Sequence, residues 1–190
     1  VRRTWLVRCQ FRHYYFKASE GAGLIPVIAR MGDTQIEIRV DDLKGPESKA
    51  LLEKHLEHMR AISPPESVHA LDLEALRKPS ITFWTMWLQG ALIGCGALRE
   101  LDPTHGEIKS MHTPVAFRGH GYGRCMVEHI LKTARERGYR RLSLETGATD
   151  DFISARSLYA SFGFNTCPPF ADYNLDDFST CMTLELDKTP

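Results

Sequence analysis

Apolar and polar residues alternate over Ile36-Glu37-Ile38-Arg39-Val40, and this period of two predicts a first strand. The period then lengthens. Leu51, Leu52, His55, Leu56, Met59 and Ile62 recur at helical spacing behind Gly45-Pro46-Glu47-Ser48, which places proline near a first turn, and Ser63-Pro64-Pro65 stops the helix. A second short helix is expected over 71–76, broken before Pro79. Ile81–Leu88 and Ala91–Leu98 read as strands joined by Gln89-Gly90, a tight hairpin signal, and a third run, Glu107–Thr113, follows the turn residues Asp102-Pro103-Thr104-His105-Gly106.

Beyond Thr113 the helical period returns. Met126, Val127, Ile130, Leu131 and Ala134 mark a helix over Tyr122–Arg137, with Gly138 where a C-terminal cap belongs. Arg140–Thr146 is expected as a strand with Leu142 and Leu144 on one face. A further helix over Asp151–Phe162 presents Ala155, Leu158, Tyr159 and Phe162 along one side. Short strands near Asn165 and over Ser179–Asp187 close the chain. The order β-α-α-β-β-β-α-β-α-β-β, without linker or repeat, predicts one mixed α/β domain.

Composition narrows the class without changing that outline. A hydrophobic share of 43% and a charged share of 25% are those of a soluble globular protein. No apolar run approaches the ~20 residues that span a bilayer, and a formal net charge of +0 offers no whole-protein field for nucleic acid or membranes. The charge is unevenly spread: residues 1–30 carry Arg2, Arg3, Arg8, Arg12, Lys17 and Arg30 against Glu20 alone. Met31-Gly32-Asp33 reads as a natural start. Residues 1–30 are therefore expected to be a basic N-terminal extension outside the core, with a targeting leader as the lesser alternative, and residues 31–190 to form the domain. Five cysteines without C-x-x-C spacing argue against a disulfide framework or zinc site and favour a reducing, cytoplasmic setting. His55 and His58, three apart on a helix, lack a carboxylate or cysteine partner in the pattern, so no metal is expected.

The chemistry concentrates between the third strand run and the next helix. Arg118-Gly119-His120-Gly121-Tyr122-Gly123-Arg124 alternates glycines just ahead of a helix start, which suits an anion. Glycine lets backbone approach a ligand, free N–H groups point outward, and the arginines add charge. No Gly-Lys-Ser/Thr follows, which excludes the P-loop. The spacing is G-x-G-x-G rather than G-x-G-x-x-G, and a Pro114-containing loop precedes it. A nicotinamide-binding oxidoreductase, with Glu145 as ribose acid, is thus a weaker alternative.

Three segments together resemble the GNAT superfamily of acetyl-CoA-dependent N-acetyltransferases. Glu107-Ile108-Lys109-Ser110-Met111-His112-Thr113 is similar to the family's fourth strand and Arg118–Gly123 to its cofactor loop. Leu158-Tyr159 with Phe162-Gly163-Phe164 is similar to its closing signature. The likeness covers about Ile36 to Leu186, and Leu142–Gly147 adds a resemblance to bacterial members acting on small amines. It implies a single mixed, mostly antiparallel sheet whose central strands splay apart, flanked by about four helices. It also implies transfer of an acetyl group from acetyl-CoA to a primary amine, with no metal.

By that resemblance, backbone around Met111, His112 and Thr113 would hold the pantetheine arm. Arg118, Gly119, His120, Gly121, Tyr122, Gly123 and Arg124 would hold the pyrophosphate, and Ala155 would sit against the cofactor. Glu107 would be the general base, and Tyr159 would protonate the departing thiolate. Strand alternation predicts Glu107 on one face with Lys109, Met111 and Thr113, and His112 on the other. Phe152 stands where many members have a cofactor-contacting Asn. Asp172-Tyr173, in the loop opened by Pro168-Pro169, would overhang the acceptor. A non-catalytic acyl-CoA-binding module remains an alternative, as does a homodimer.

Overall fold

The structure, a computed structural model, describes residues 4–7, 36–64, 72–174 and 176–186. Among the described residues, eight strands and four α-helices follow one another as β1 (Thr4–Val7), β2 (Ile36–Val40), α1 (Pro46–Ile62), α2 (Leu73–Leu76), β3 (Ile81–Leu88), β4 (Ala91–Asp102), β5 (His105–His112), α3 (Tyr122–Glu136), β6 (Arg141–Gly147), α4 (Ile153–Ala160), β7 (Asn165–Thr166) and β8 (Ser179–Glu185). The strands form one sheet in the order β1-β2-β3-β4-β5-β6-β8-β7. Every pairing is antiparallel except β5 with β6, which α3 joins as a crossover.

Local chemistry explains most boundaries. Gln89 and Gly90 both have positive φ, the pairing that a two-residue hairpin of right-handed twist requires. Asp72 caps α2 by accepting from the Ala75 N–H at 2.8 Å. Helix α3 ends in a Schellman motif: Gly138 turns left-handed and the Tyr139 N–H reaches back to the Ala134 carbonyl at 3.0 Å. The turn before β5 is tighter than expected. Asp102 Oδ1 accepts from the backbone and hydroxyl of Thr104, so pairing continues to Asp102 on one side and resumes at His105 on the other. Helix α4 starts at Ile153 after a 3-10 turn over Asp150–Phe152.

Thr4–Val7 pairs with β2, and Trp5 packs against the core. This strand lies within the stretch set aside as an extension; the other residues of 1–35 fall outside the described ones. So does Leu71, the expected first residue of α2.

The sheet has two dressed faces. On one, α1 and α2 bury Leu43, Leu51, Leu52 and Leu76 against Phe83, Cys95 and Ala97. On the other, Met126, Val127, Ile130 and Ala134 of α3 join Trp84, Leu98, Ile108 and Leu142 in the larger core, with Ala155 and Leu158 of α4 packed beside them. Gly96 permits this closeness: a Cβ there would lie 2.7 Å from Met111 Sδ and 2.8 Å from Met126 Cγ.

One irregularity changes the face assignments. Ala97 pairs with Lys109 and Cys95 with His112, so two steps on β4 oppose three on β5. The extra residue is a bulge, and Ser110 absorbs it with φ of 52°. The expected strict alternation is therefore corrected. Glu107, Lys109 and His112 share the α1 face, whereas Met111 lies against Gly96 on the α3 face, and Thr113 Oγ1 is near Gly94 and Gly123 on that same side.

Candidate active site

Strands β5 and β6 begin side by side and then part. Their register runs from His105 and Arg141 to Ile108 and Leu144, and stops there, although β5 continues to His112 and β6 to Gly147. Backbone groups beyond Ile108 thus border a wedge in the middle of the sheet rather than a neighbouring strand. The bulge at Ser110 sits at the edge of this wedge.

The glycine loop closes its wide end. Gly119 and Gly121 have φ of 79° and 80°, conformations that glycine adopts without strain, and Gly121 is the N-cap of α3. Nothing lies within 4 Å of where a Cβ on Gly119 would stand, so this backbone faces open space. Gly123 is closer to its surroundings, with Leu158 Cδ2 3.3 Å from an added Cβ. Arg118 folds back to donate to the Thr113 carbonyl at 3.1 Å, and His120 stacks on Tyr122 while bonding the Arg118 carbonyl. Arg124 is turned towards α4. It donates to Ser161 Oγ at 2.7 Å and lies over the Phe162 ring, so its guanidinium ties two helices together.

Glu107 and Tyr159 lie on opposite faces of the sheet, with Glu107 just before the point where β5 and β6 part. The Glu107 carboxylate is fully buried and surrounded: Lys109 Nζ donates to Oε1 at 3.1 Å, Tyr173 Oη donates to Oε1 at 2.5 Å, and Arg99 approaches Oε2 at 3.4 Å. Lys109 also donates to Tyr173 Oη and sits over its ring. Burial and the Glu107 charge push the Tyr173 phenol well above its usual range, which keeps it a donor. Asp172, almost wholly exposed, pairs with Arg99 at 3.6 Å. Tyr159 comes from α4 and packs edge-on to Phe164 at 5.8 Å. Burial, and then the Glu145 carboxylate, raise its pKa, so the phenol stays protonated.

Strand alternation places Lys109 on the face of Glu107, whereas nothing in the sequence pattern marks Arg99 or Tyr173 as its partners. Tyr173 is 66 positions away in sequence, and only its place in a loop following Pro168-Pro169 hinted at proximity. Ala155 is half-buried beside the larger core. Phe152 packs its ring onto Gly147 at the end of β6, where a Cβ would collide with it.

On the α1 face, the His112 ring meets His55 of α1 at a centroid distance of 4.8 Å. Burial lowers the pKa of His112 to about 3 and that of His55 to about 4, helped by each ring's histidine neighbours and by Arg118. No group of three or more potential metal ligands occurs among the described residues. No helix among them is long and apolar enough to cross a membrane.

A wedge opened between two parallel central strands, with an αL glycine turn at the start of the next helix, is the arrangement that the sequence resemblance implies, and comparison with known proteins agrees. The family model for the GNAT acetyltransferases matches residues 48–164. The chain belongs to the GNAT acetyltransferase family. It is 52% identical to the uncharacterized N-acetyltransferase YsnE of Bacillus subtilis, over 80% of this chain and 100% of that protein. It is 46% identical to the uncharacterized N-acetyltransferase YedL of Escherichia coli, over 78% and 94%. A GNAT family acetyltransferase from Elizabethkingia anophelis, solved with acetyl-CoA bound, shares the fold with a TM-score of 0.56 at 18% identity, over 80% of this chain and 98% of that one. This GNAT protein is therefore an acyltransferase enzyme, which leaves the nicotinamide and non-catalytic alternatives without support.

Proposed function

We propose that this enzyme moves an acetyl group from acetyl-CoA to a primary amine of a small molecule, by direct attack with both substrates bound. The observation that carries this reading is the wedge between β5 and β6, opening beside the glycine start of α3. The residues present fit the cofactor. Positive-φ glycines stand at the positive end of a 15-residue helix, and Gly119 faces open space in which an anion can sit. The acetyl-CoA carried by the Elizabethkingia relative supports the same donor here.

Acetyl-CoA, when bound, supplies an activated thioester. Backbone N–H groups of the bulged segment around Met111 would polarise its carbonyl, and those from Gly119 to Arg124 would hold the pyrophosphate. Arg118 adds charge beside them. Tyr159, held protonated, would give its proton to the departing thiolate. Glu107 is proposed as an anchor rather than as the expected base. Its oxygens are engaged by Lys109, Tyr173 and Arg99, and that network ties Tyr173 of the 167–174 segment to β5. Phe170 and Tyr173 of this loop meet His105 and Glu107, and α1 bounds the opposite side, which favours a small amine over a broad protein surface.

The test is an amine panel with acetyl-CoA: amino acids, spermidine, tryptamine, an aniline, kanamycin and an alanine-terminated peptide. CoA release matched by an acetylated small amine in the mass spectrum is the expected result. Acetylation of the peptide alone, or CoA release without any acetylated product, would count against the proposal.

A further inference from the structure

We propose that His112, backed by His55, takes the proton from the acceptor's ammonium group, the task expected of Glu107. The inference rests on the amine-acetylation reading above and names the base for it.

Four observations converge. The bulge at Ser110 rotates His112 onto the α1 face, where its ring meets His55. His112 belongs to the part of β5 that has left β6, so it borders the wedge, whereas Glu107 lies in the part still paired with Ser143. Glu107 is sealed: its side chain has no exposure and Tyr173 caps the oxygen it shares with Lys109. Finally, His55 is 6% exposed, yet its Nδ1 is buried with no hydrogen-bond partner, an unmet polar group directly behind the His112 ring.

The electrostatics leave an acceptor nitrogen on the ring but oppose its protonation until a counter-charge comes near. The charged and titratable groups facing the pair are His58 on α1 and Arg118 from the loop, and with burial they hold both rings neutral at neutral pH. A neutral imidazole carries one acceptor nitrogen. A pyrophosphate at the glycine loop would offset the Arg118 charge and so ease protonation only once the donor is in place. His112, half-buried, is the ring that the amine touches; His55 is a positioning residue.

The proton balance is complete. The nitrogen arrives as an ammonium and gives one proton to His112, which passes it to water. Its freed lone pair forms the C–N bond at the thioester carbonyl, and the C–S bond breaks with its electron pair on sulfur. The second nitrogen proton ends on that sulfur by way of Tyr159.

The full chain is assayed with acetyl-CoA and the most active amine of the panel. His112→Ala is expected to lower kcat by ~10²–10³-fold, within the usual worth of a general base, while acetyl-CoA affinity stays unchanged. Added imidazole should restore part of the rate. His112→Gln, which keeps more of the packing, should lose as much activity without the rescue. His55→Phe should lower kcat by about tenfold with KM for acetyl-CoA unchanged. Near wild-type turnover in His112→Ala would overturn the proposal. So would a loss that imidazole cannot restore, or failure of both His112 variants to bind acetyl-CoA, since each marks a structural role. Inactivity of the wild type on every amine would instead sink the acetylation reading.

Discussion

At the scale of single residues, burial separates the side chains that can meet a substrate from those that hold the site together. Glu107 and Tyr159 are both buried, yet their surroundings differ in kind. Glu107 lies among two cations and a phenol donor, so its charge is spent inside the protein. Tyr159 is set among apolar neighbours and near the Glu145 carboxylate, which together oppose loss of its proton. A group that resists ionisation donates well to a thiolate only where that thiolate forms beside it. Tyr159→Phe should thus lower kcat by about 10²-fold, the lower range for general acids, and leave the dissociation constant of acetyl-CoA as it is. Single-turnover rates and calorimetric titration of CoA measure the two quantities separately; an unchanged rate would remove Tyr159 from the reaction.

At the scale of elements, the sequence pattern was legible wherever one period persisted. The apolar stripe of α3, its glycine stop and the Gln89-Gly90 hairpin all follow from local rules; α3 ends within one residue of the expected bound, while β4 runs on to Asp102, four residues past it. The bulge was not legible, because Ser110 carries no turn signature and an alternating reading runs straight through it. Its consequence is large: one inserted residue exchanges the faces of Met111 and His112. The partners of Glu107 were hidden for another reason, since Tyr173 reaches it only through the long return of the chain over β5. The glycine loop shows the opposite case, in which spacing alone indicated an anion cradle. At Gly119 the φ of 79° is strained for any residue with a Cβ, by about 1–2 kcal/mol, although no atom would clash. Gly119→Ala should therefore act on the loop shape rather than the core: CoA binding weakens by about tenfold, as that strain energy implies, with little change in melting temperature. Equal losses in affinity and stability would show that the loop supports the fold itself.

At the scale of the whole molecule, the sheet carries buried imidazoles on both faces, and these tie folding to acidity. His55 and His112 lie under α1, while His129 on α3 sits between Trp5 and Trp84, with ring distances of 5.0 and 5.1 Å and a buried Nε2 without a partner. Burial, with a smaller effect of Lys132, lowers the pKa of His129 to about 4. The folded form therefore resists a proton that the unfolded chain accepts once pH falls below ~6.5. Stability is complete above that value, declines as pH falls towards about 4, and stops declining on this account below it, where both states are protonated. Each such ring costs up to ~1.4 kcal/mol per pH unit inside the window, or roughly 3–6 °C in melting temperature for a chain of this size. His129→Leu removes one titrating group and its orphan nitrogen while keeping an apolar side chain between the indoles. Its melting temperature should match or exceed wild type at pH 7, and the gap should widen in favour of the variant as pH falls to 4. Parallel melting curves of the two proteins across that range would mean that His129 binds its proton as readily folded as unfolded.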